Sequence, residues 1–434
     1  MPKLISFRQG FLSVLFWSII AAAFIGPGTV TTSSKAGASF QLDLLWALIF
    51  SILATMVLQE AAARITIASG KSLGEIIALK YAGRRNQGIK TGLFLAVAIG
   101  CAAYQAGNML GALSGIALFN SFSQKWLTLA LGIICGGMLW IGNYRIIANL
   151  LGLVVAVMGI AFIYVAVQTN FSPTDFFSAA FVPTAPTGSA LLIIGLIGTT
   201  IVPYNLFLAS GISKGQNIAE MRWGVGIAVF IGGIISIAIM VVGTQVTGTF
   251  SFEALALAMA DQLGDWATVF FGIGLFAAGI SSSITSPLAA AVTAQSLFST
   301  GSSNWGPRSR NFRLVWGIVL GVGLFFGLLE IKPIPIIILA QALNGILLPI
   351  VTVFLLLAVN DRALLTSKYT NTFFFNILML LIVGVTCWLG LNNLWKAFGQ
   401  VIPVFQFDLN TNTLINSVMT IGVLLILGWK VLKK

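Results

Sequence analysis

The chain has 434 residues, 58% apolar and only 8% charged, with a mean hydropathy of +1.00 and a net charge of +12. A water-soluble domain carries about 25% charged residues, so this composition defines a polytopic membrane protein. Histidine is absent, and Cys101, Cys135 and Cys387 lie at unrelated spacings in apolar runs as packing residues, which excludes a disulfide framework, a zinc-finger site and an imidazole proton relay.

Met1 to Gly10 leads directly into an apolar segment with no small-residue cleavage pattern, so no cleaved signal is expected. A spanning helix needs about 20 mostly apolar residues. Segments of that kind run near 11–38, 43–67, 90–119, 126–142, 147–168, 189–213, 223–247, 267–295, 313–330, 335–358, 373–391 and 414–431. The sequence thus predicts about twelve transmembrane helices, numbered 1 to 12 in that order, forming one domain over 1–434 with no room for a soluble domain in the gaps. Lysine and arginine favour the cytoplasmic side. A cytoplasmic N-terminus leaves only Lys35, Lys125, Lys332 and Lys396 of the 23 basic residues outside. The expected location is a plasma membrane, the inner membrane in a bacterium, with both termini cytoplasmic. The basic loops then face anionic headgroups, which accounts for the net charge without nucleic acid.

Two helices are interrupted. Helix 1 carries Gly26-Pro27-Gly28-Thr29 and helix 6 carries Val202-Pro203-Tyr204-Asn205. Proline removes an amide hydrogen and glycine tolerates unusual dihedrals, so each can unwind a turn. A single proline kink is common in membrane helices; two at matching places suggest a repeat. The offset of five helices gives repeats over about 11–168 and 189–358, with extra helices over about 373–431. An odd repeat length forces opposite orientations and hence an inverted-topology transporter. The second halves of helices 1 and 6 then both start near the bilayer centre, aiming amide hydrogens and positive dipole ends at the midplane, while the first halves present carbonyls.

The polar inventory near the breaks is neutral. It comprises Thr29, Thr31, Thr32, Ser33, Ser34, Thr199, Thr200, Tyr204 and Asn205, and between Glu75 and Asp175 there is no carboxylate at all. A divalent cation that sheds its water demands carboxylates, imidazoles or thiolates, so these residues suit a small anion or neutral polar solute better. Lys35 lies about 10 Å along the half-helix from Gly28 at 1.5 Å per residue. It either snorkels to the interface or draws anions into an outward vestibule. Glu60 and Arg64 in Leu58 to Ile65 (LQEAAARI) stand at i and i+4 near a helix end, as an interfacial ion pair or a gate latch. Ser281, Ser282 and Ser283 in helix 8 either bond back to their own backbone or complete a sodium site with carbonyls of helix 1. Gln341 and Asn344 share a face of helix 10, and intramembrane amides face the bundle interior.

At these residues the chain resembles the Nramp family of metal-ion transporters over nearly its whole length. The family's Asp-Pro-Gly-Asn matches Gly26-Pro27-Gly28-Thr29, with Ala36-Gly37-Ala38 following. Its Met-Pro-His-Asn matches Val202-Pro203-Tyr204-Asn205, and its Gly-Gln-Ser-Ser-Thr run matches Gly279-Ile280-Ser281-Ser282-Ser283. Gln341 matches a helix 10 glutamine, and LQEAAARI is similar to the end of the family's second helix. The resemblance implies the leucine-transporter architecture. The departures fall on the metal ligands: the aspartate is Gly26, the asparagine Thr29, the methionine Val202 and the proton-linked histidine Tyr204. The acids of helix 3 are missing from CAAYQAGNMLGAL, Cys101 to Leu113.

The expectation is an all-α secondary transporter, with two inverted five-helix repeats, moving a small ion by alternating access. Its binding site is Gly26, Pro27, Gly28, Thr29, Thr32, Ser33, Thr199, Val202, Pro203, Tyr204, Asn205 and Gln341. Ser281, Ser282 and Ser283 are coupling-ion candidates, and Lys35 is the vestibule charge. The expected cargo is a small oxyanion or carboxylate, bicarbonate for example, with sodium as a possible coupling ion. The alternatives are a hydrated divalent cation such as Mg²⁺ or Mn²⁺, and a transporter-like sensor that moves nothing. No enzyme activity, no resident cofactor, no bound metal and no obligate protein partner are expected; the surroundings are lipid.

Overall fold

The computed structural model describes residues 25–81, 83, 86–142, 145–299, 303–366, 368–401 and 408–432. The described residues fold into α1 (Pro27–Phe40), α2 (Leu45–Ser69), α3 (Leu73–Lys80), α4 (Gln87–Ala117), α5 (Gln124–Ile141), α6 (Arg145–Gln168), α7 (Pro173–Phe181) and α8 (Ala190–Thr200), followed by α9 (Pro203–Ile212), α10 (Ile218–Gly243), α11 (Phe252–Leu263), α12 (Trp266–Phe298), α13 (Arg310–Leu328), α14 (Pro333–Val359), α15 (Phe373–Val401) and α16 (Leu409–Leu432). Eleven segments among them are long and apolar enough to cross a membrane, α8 and α9 counting as one. They coincide with predicted helices 2 to 12. Of predicted helix 1, only the second half (α1) falls within the described residues.

Both prolines stand at helix starts, and of the helix 1 break only the side after Ile25 lies within the described residues. Pro27 and Pro203 occupy the first turn of α1 and α9, where a missing amide hydrogen costs nothing and a fixed φ suits the helix. α8 ends at Thr200, and the chain is non-helical at Ile201 and Val202 before α9 begins. The packing obeys the exchange that an inverted repeat requires. α1 lies on α10 while α9 lies on α2; α4 packs on α14 while α12 packs on α6; and α4 and α12 pack on each other.

Small residues let these backbones approach, as expected where lipid removes the hydrophobic drive between helices. A Cβ on Gly37 of α1 would lie 2.0 Å from the Met240 carbonyl oxygen of α10, and one on Gly243 would lie 2.3 Å from the Ser34 carbonyl oxygen. Neither obstacle is a movable side chain. Gly37→Ala is therefore expected to force α1 and α10 apart and cost about 1–3 kcal/mol, read as a lower Tm of the detergent-solubilised protein. An unchanged Tm would show that this contact is not tight.

One end of the bundle is tied by charge. Arg64 Nε donates to Glu60 at 3.0 Å, and Arg222 of α10 donates to the same carboxylate at 2.9 Å. Arg64 also donates to the Tyr369 carbonyl and, at 2.6 Å, to Asn371 Oδ1. The i, i+4 pair read from LQEAAARI is thus one part of a tie joining α2, α10 and the loop before α15. Large apolar side chains such as Trp126, Ile133 and Val167 are exposed on the outer helices, as lipid-facing positions should be.

Candidate ion site at the helix breaks

The site assembles around Gln341 of α14. Its side chain is 1% exposed, and neither Nε2 nor Oε1 has a protein hydrogen-bond partner. It lies against α1: an added Cβ on Gly28 would sit 2.2 Å from Gln341 Nε2 and 2.5 Å from Cδ. On the other side, a Cβ on Gly198 of α8 would meet the Gln341 carbonyl oxygen at 2.0 Å. Glycine at 28 admits the Gln341 amide against α1, and glycine at 198 admits the backbone of α14 against α8.

The hydroxyls of α1 divide by role. Thr31 donates to the Pro27 carbonyl at 2.7 Å and Ser34 to that of Val30, so both are spent on their own helix. Thr29 Oγ1 pairs with Thr199 Oγ1 at 3.0 Å, joining the start of α1 to the last turn of α8. Thr32 and Ser33 are buried with hydroxyls that have no protein partner, and Thr32 Cγ2 comes within 3.2 Å of where a Cβ on Gly195 would stand. In α9, Asn205 Oδ1 is likewise buried without a partner.

Amide and carbonyl ends are treated differently. The N-caps of α1 and α9 are Gly26 and Val202, and neither offers a side-chain acceptor to the amides of the first turn. The carbonyl end of α8 is capped instead. Tyr104 of α4 donates its hydroxyl to the Gly198 carbonyl at 2.6 Å, while Thr55 of α2 donates to the Ser51 carbonyl of its own helix at 2.7 Å and only approaches that of Thr200, at 3.3 Å. The Tyr104 ring packs edge-on against Tyr204, with centroids 5.6 Å apart. Among the described residues, the two helix starts thus have no side-chain cap while the Gly198 carbonyl is covered. Among the described residues no group of three or more His, Cys, Asp or Glu could hold a metal ion.

The serines of α12 diverge. Ser282 borders the break, its Oγ 3.1 Å from where a Cβ on Gly26 would lie. Ser283 is buried with an unpartnered hydroxyl, and Ser281 is half-buried with its carbonyl accepting from Thr285 at 2.9 Å. The structure thus brings Gly26, Pro27, Gly28, Thr29, Thr32, Thr199, Ser282 and Gln341 around the start of α1. Tyr204 is joined to them through Tyr104, and Val202, Pro203 and Asn205 form the start of α9. Lys35, two turns on, holds its ammonium 5.6 Å from the Phe250 ring centroid. Asn344 is structural, donating to the Gly100 and Ala340 carbonyls at 3.2 and 3.1 Å. Sequence reasoning missed Tyr104. The stretch CAAYQAGNMLGAL drew notice for the acids it lacks; its tyrosine, in an otherwise apolar turn, was the available signal.

A continuous bundle with one helix broken at α8/α9, a second starting at a proline N-terminus, and polar groups between them defines the broken-helix transporter fold. Residues 18–396 match the family model described as natural resistance-associated macrophage protein-like, Nramp, and the chain belongs to that family. Its fold is similar to that of the Eremococcus coleocola manganese transporter in complex with an aromatic bis-isothiourea substituted compound, at 20% identity and a TM-score of 0.73, covering 98% of this chain and 94% of that one. A point variant of the same transporter matches at 19% identity and 0.72 over the same shares. A nucleobase-cation-symport-1 family transporter in a closed conformation, with bromovinylhydantoin bound, matches at 15% identity and 0.56, covering 96% and 92%.

Proposed function

We propose that this chain is a secondary transporter that moves a small oxyanion or small carboxylate, bicarbonate being one example, by alternating access around the breaks at Gly26 to Thr29 and Val202 to Asn205. One observation carries the choice of cargo. The amide ends of α1 and α9 have no side-chain cap, whereas the Gly198 carbonyl at the end of α8 is capped by Tyr104. A helix N-terminus whose first turn carries no side-chain cap favours an anion, and a capped carbonyl has less to offer a cation. The unpartnered amide of Gln341 adds donors beside Gly28, and Thr32 meets Gly195 on the face of α8 that Gln341 also approaches. Sodium is the proposed coupling ion, with Ser282 beside Gly26 as its nearest hydroxyl. Under the charge rule both termini are cytoplasmic and the tie at Glu60 and Arg64 closes the inner side. Lys35 then stands at the outer mouth.

A second reading is favoured by family membership and by the manganese transporters of similar fold. In it the cargo is a divalent cation that keeps its water and touches only hydroxyls and amides, as Mg²⁺ with its reluctant dehydration would. Uptake of bicarbonate and formate into proteoliposomes, with and without a sodium gradient, separates the two. Saturable anion uptake is the expected result. Uptake of Mn²⁺ or Mg²⁺ with indifference to every anion would overturn the proposal. Titration of Mg²⁺ against the wild type and Thr29→Ala then tests the second reading.

A further inference from the structure

Asn108 of α4 is 2% exposed, and its Nδ2 donates to no protein group. An unsatisfied buried amide is uncommon enough to need a reason. Its direction is fixed by its neighbours. Tyr104, one turn earlier, reaches the Gly198 carbonyl; Gly111, one turn later, is so close to α1 that a Cβ there would stand 2.2 Å from Pro27 Cβ. Positions 104, 108 and 111 share one stripe of the helix, so Asn108 lies between the capped end of α8 and the uncapped start of α1.

α12 supplies a second donor at the same level. A Cβ on Gly279 would meet Ala112 Cβ at 2.6 Å, and Ser286 donates to the Cys101 carbonyl at 2.7 Å. Ser283 falls between these two contacts on the same stripe, facing α4, and its buried hydroxyl has no partner. A helix N-terminus alone would not make a site; here two buried donors from separate helices converge beside it.

We propose that Asn108 is a further ligand of the transported anion. Its amide N–H donates to one oxygen from α4, with the Ser283 hydroxyl as the neighbouring donor, while Gln341 donates to another oxygen from α14. A flat oxyanion with two or three acceptor oxygens matches donors arriving from three walls. This rests on the oxyanion reading and deepens it by naming the residue that selects for such a cargo.

The test is bicarbonate and formate uptake by proteoliposomes holding wild type, Asn108→Leu, Asn108→Asp and Ser283→Ala. Asn108→Leu is expected to raise KM about tenfold, the loss of one donor hydrogen bond. Asn108→Asp keeps the shape, removes the donor and adds a negative charge; it is expected to lose uptake by more than about a hundredfold. Ser283→Ala should raise KM by a smaller factor. Asn108→Asp also guards against misfolding of the leucine variant, because it is nearly isosteric and its elution profile reports the fold. A KM within about twofold of wild type in Asn108→Leu, or full activity in Asn108→Asp, overturns the inference and leaves the oxyanion reading standing. A wild type that moves neither anion but moves Mn²⁺ overturns both.

Discussion

Replacing Gly26 by aspartate is expected to reduce anion uptake by roughly a thousandfold while leaving the fold intact. Gly26 is the N-cap of α1, with φ −97° and ψ 174°, a conformation that aspartate adopts readily. Its Cβ would stand 3.1 Å from Ser282 Oγ, a hydroxyl that can rotate away. The new carboxylate would add the side-chain cap that the first turn lacks, stabilising α1 by only about a few tenths of a kcal/mol, since glycine is itself a tolerated N-cap. The same carboxylate would stand where the anion is proposed to rest. Two like charges about 4 Å apart at an effective dielectric near 20 repel by about 4 kcal/mol, which corresponds to roughly three decades. The variant is also expected to gain affinity for Mn²⁺, readable by calorimetry, since a carboxylate supplies the hard ligand that this break lacks. Anion uptake at the wild-type level in Gly26→Asp would show that the cargo does not rest at the start of α1.

Gly28→Val should impair transport by a steric route. The added Cβ lies 2.2 Å from Gln341 Nε2 and 2.9 Å from its Oε1, so the amide must swing out of the site. What yields is the end of a flexible side chain, and the fold is expected to survive. Loss of a hydrogen bond to a charged cargo costs about 1.5–3 kcal/mol, a ten- to hundredfold fall in uptake at 1.4 kcal/mol per decade. Gln341→Ala should show the same fall. The double variant should be no worse than either, because both remove one interaction. Additive losses would mean that Gly28 acts through something other than Gln341.

The architecture was legible because each of its determinants is local. Hydropathy marks the spans, and Pro27 and Pro203 mark the starts of α1 and α9 through their own geometry. The offset between the two breaks carries the repeat. The site was legible only in part. Gly28 and Gln341 were both named from sequence, yet their contact joins residues far apart in the chain and appears only when α14 packs on α1. The hydroxyl cap on the Gly198 carbonyl of α8 comes from Tyr104, placed by packing of α4 that no local pattern encodes. Ser281, Ser282 and Ser283 read as one polar run, but about 100° of helical rotation separates consecutive side chains. Only Ser282 meets Gly26, while Ser283 turns to α4.

An ion site without fixed negative charge at the starts of α1 and α9 is expected to leave a dehydrated dication unbound. Anomalous difference density from crystals grown with Mn²⁺ at neutral pH addresses it directly. No peak is expected at inner-sphere distance from Thr29, Tyr204 or Gln341. A strong peak there, bonded to these side chains or to the carbonyls around Gly26 and Val202, would contradict it.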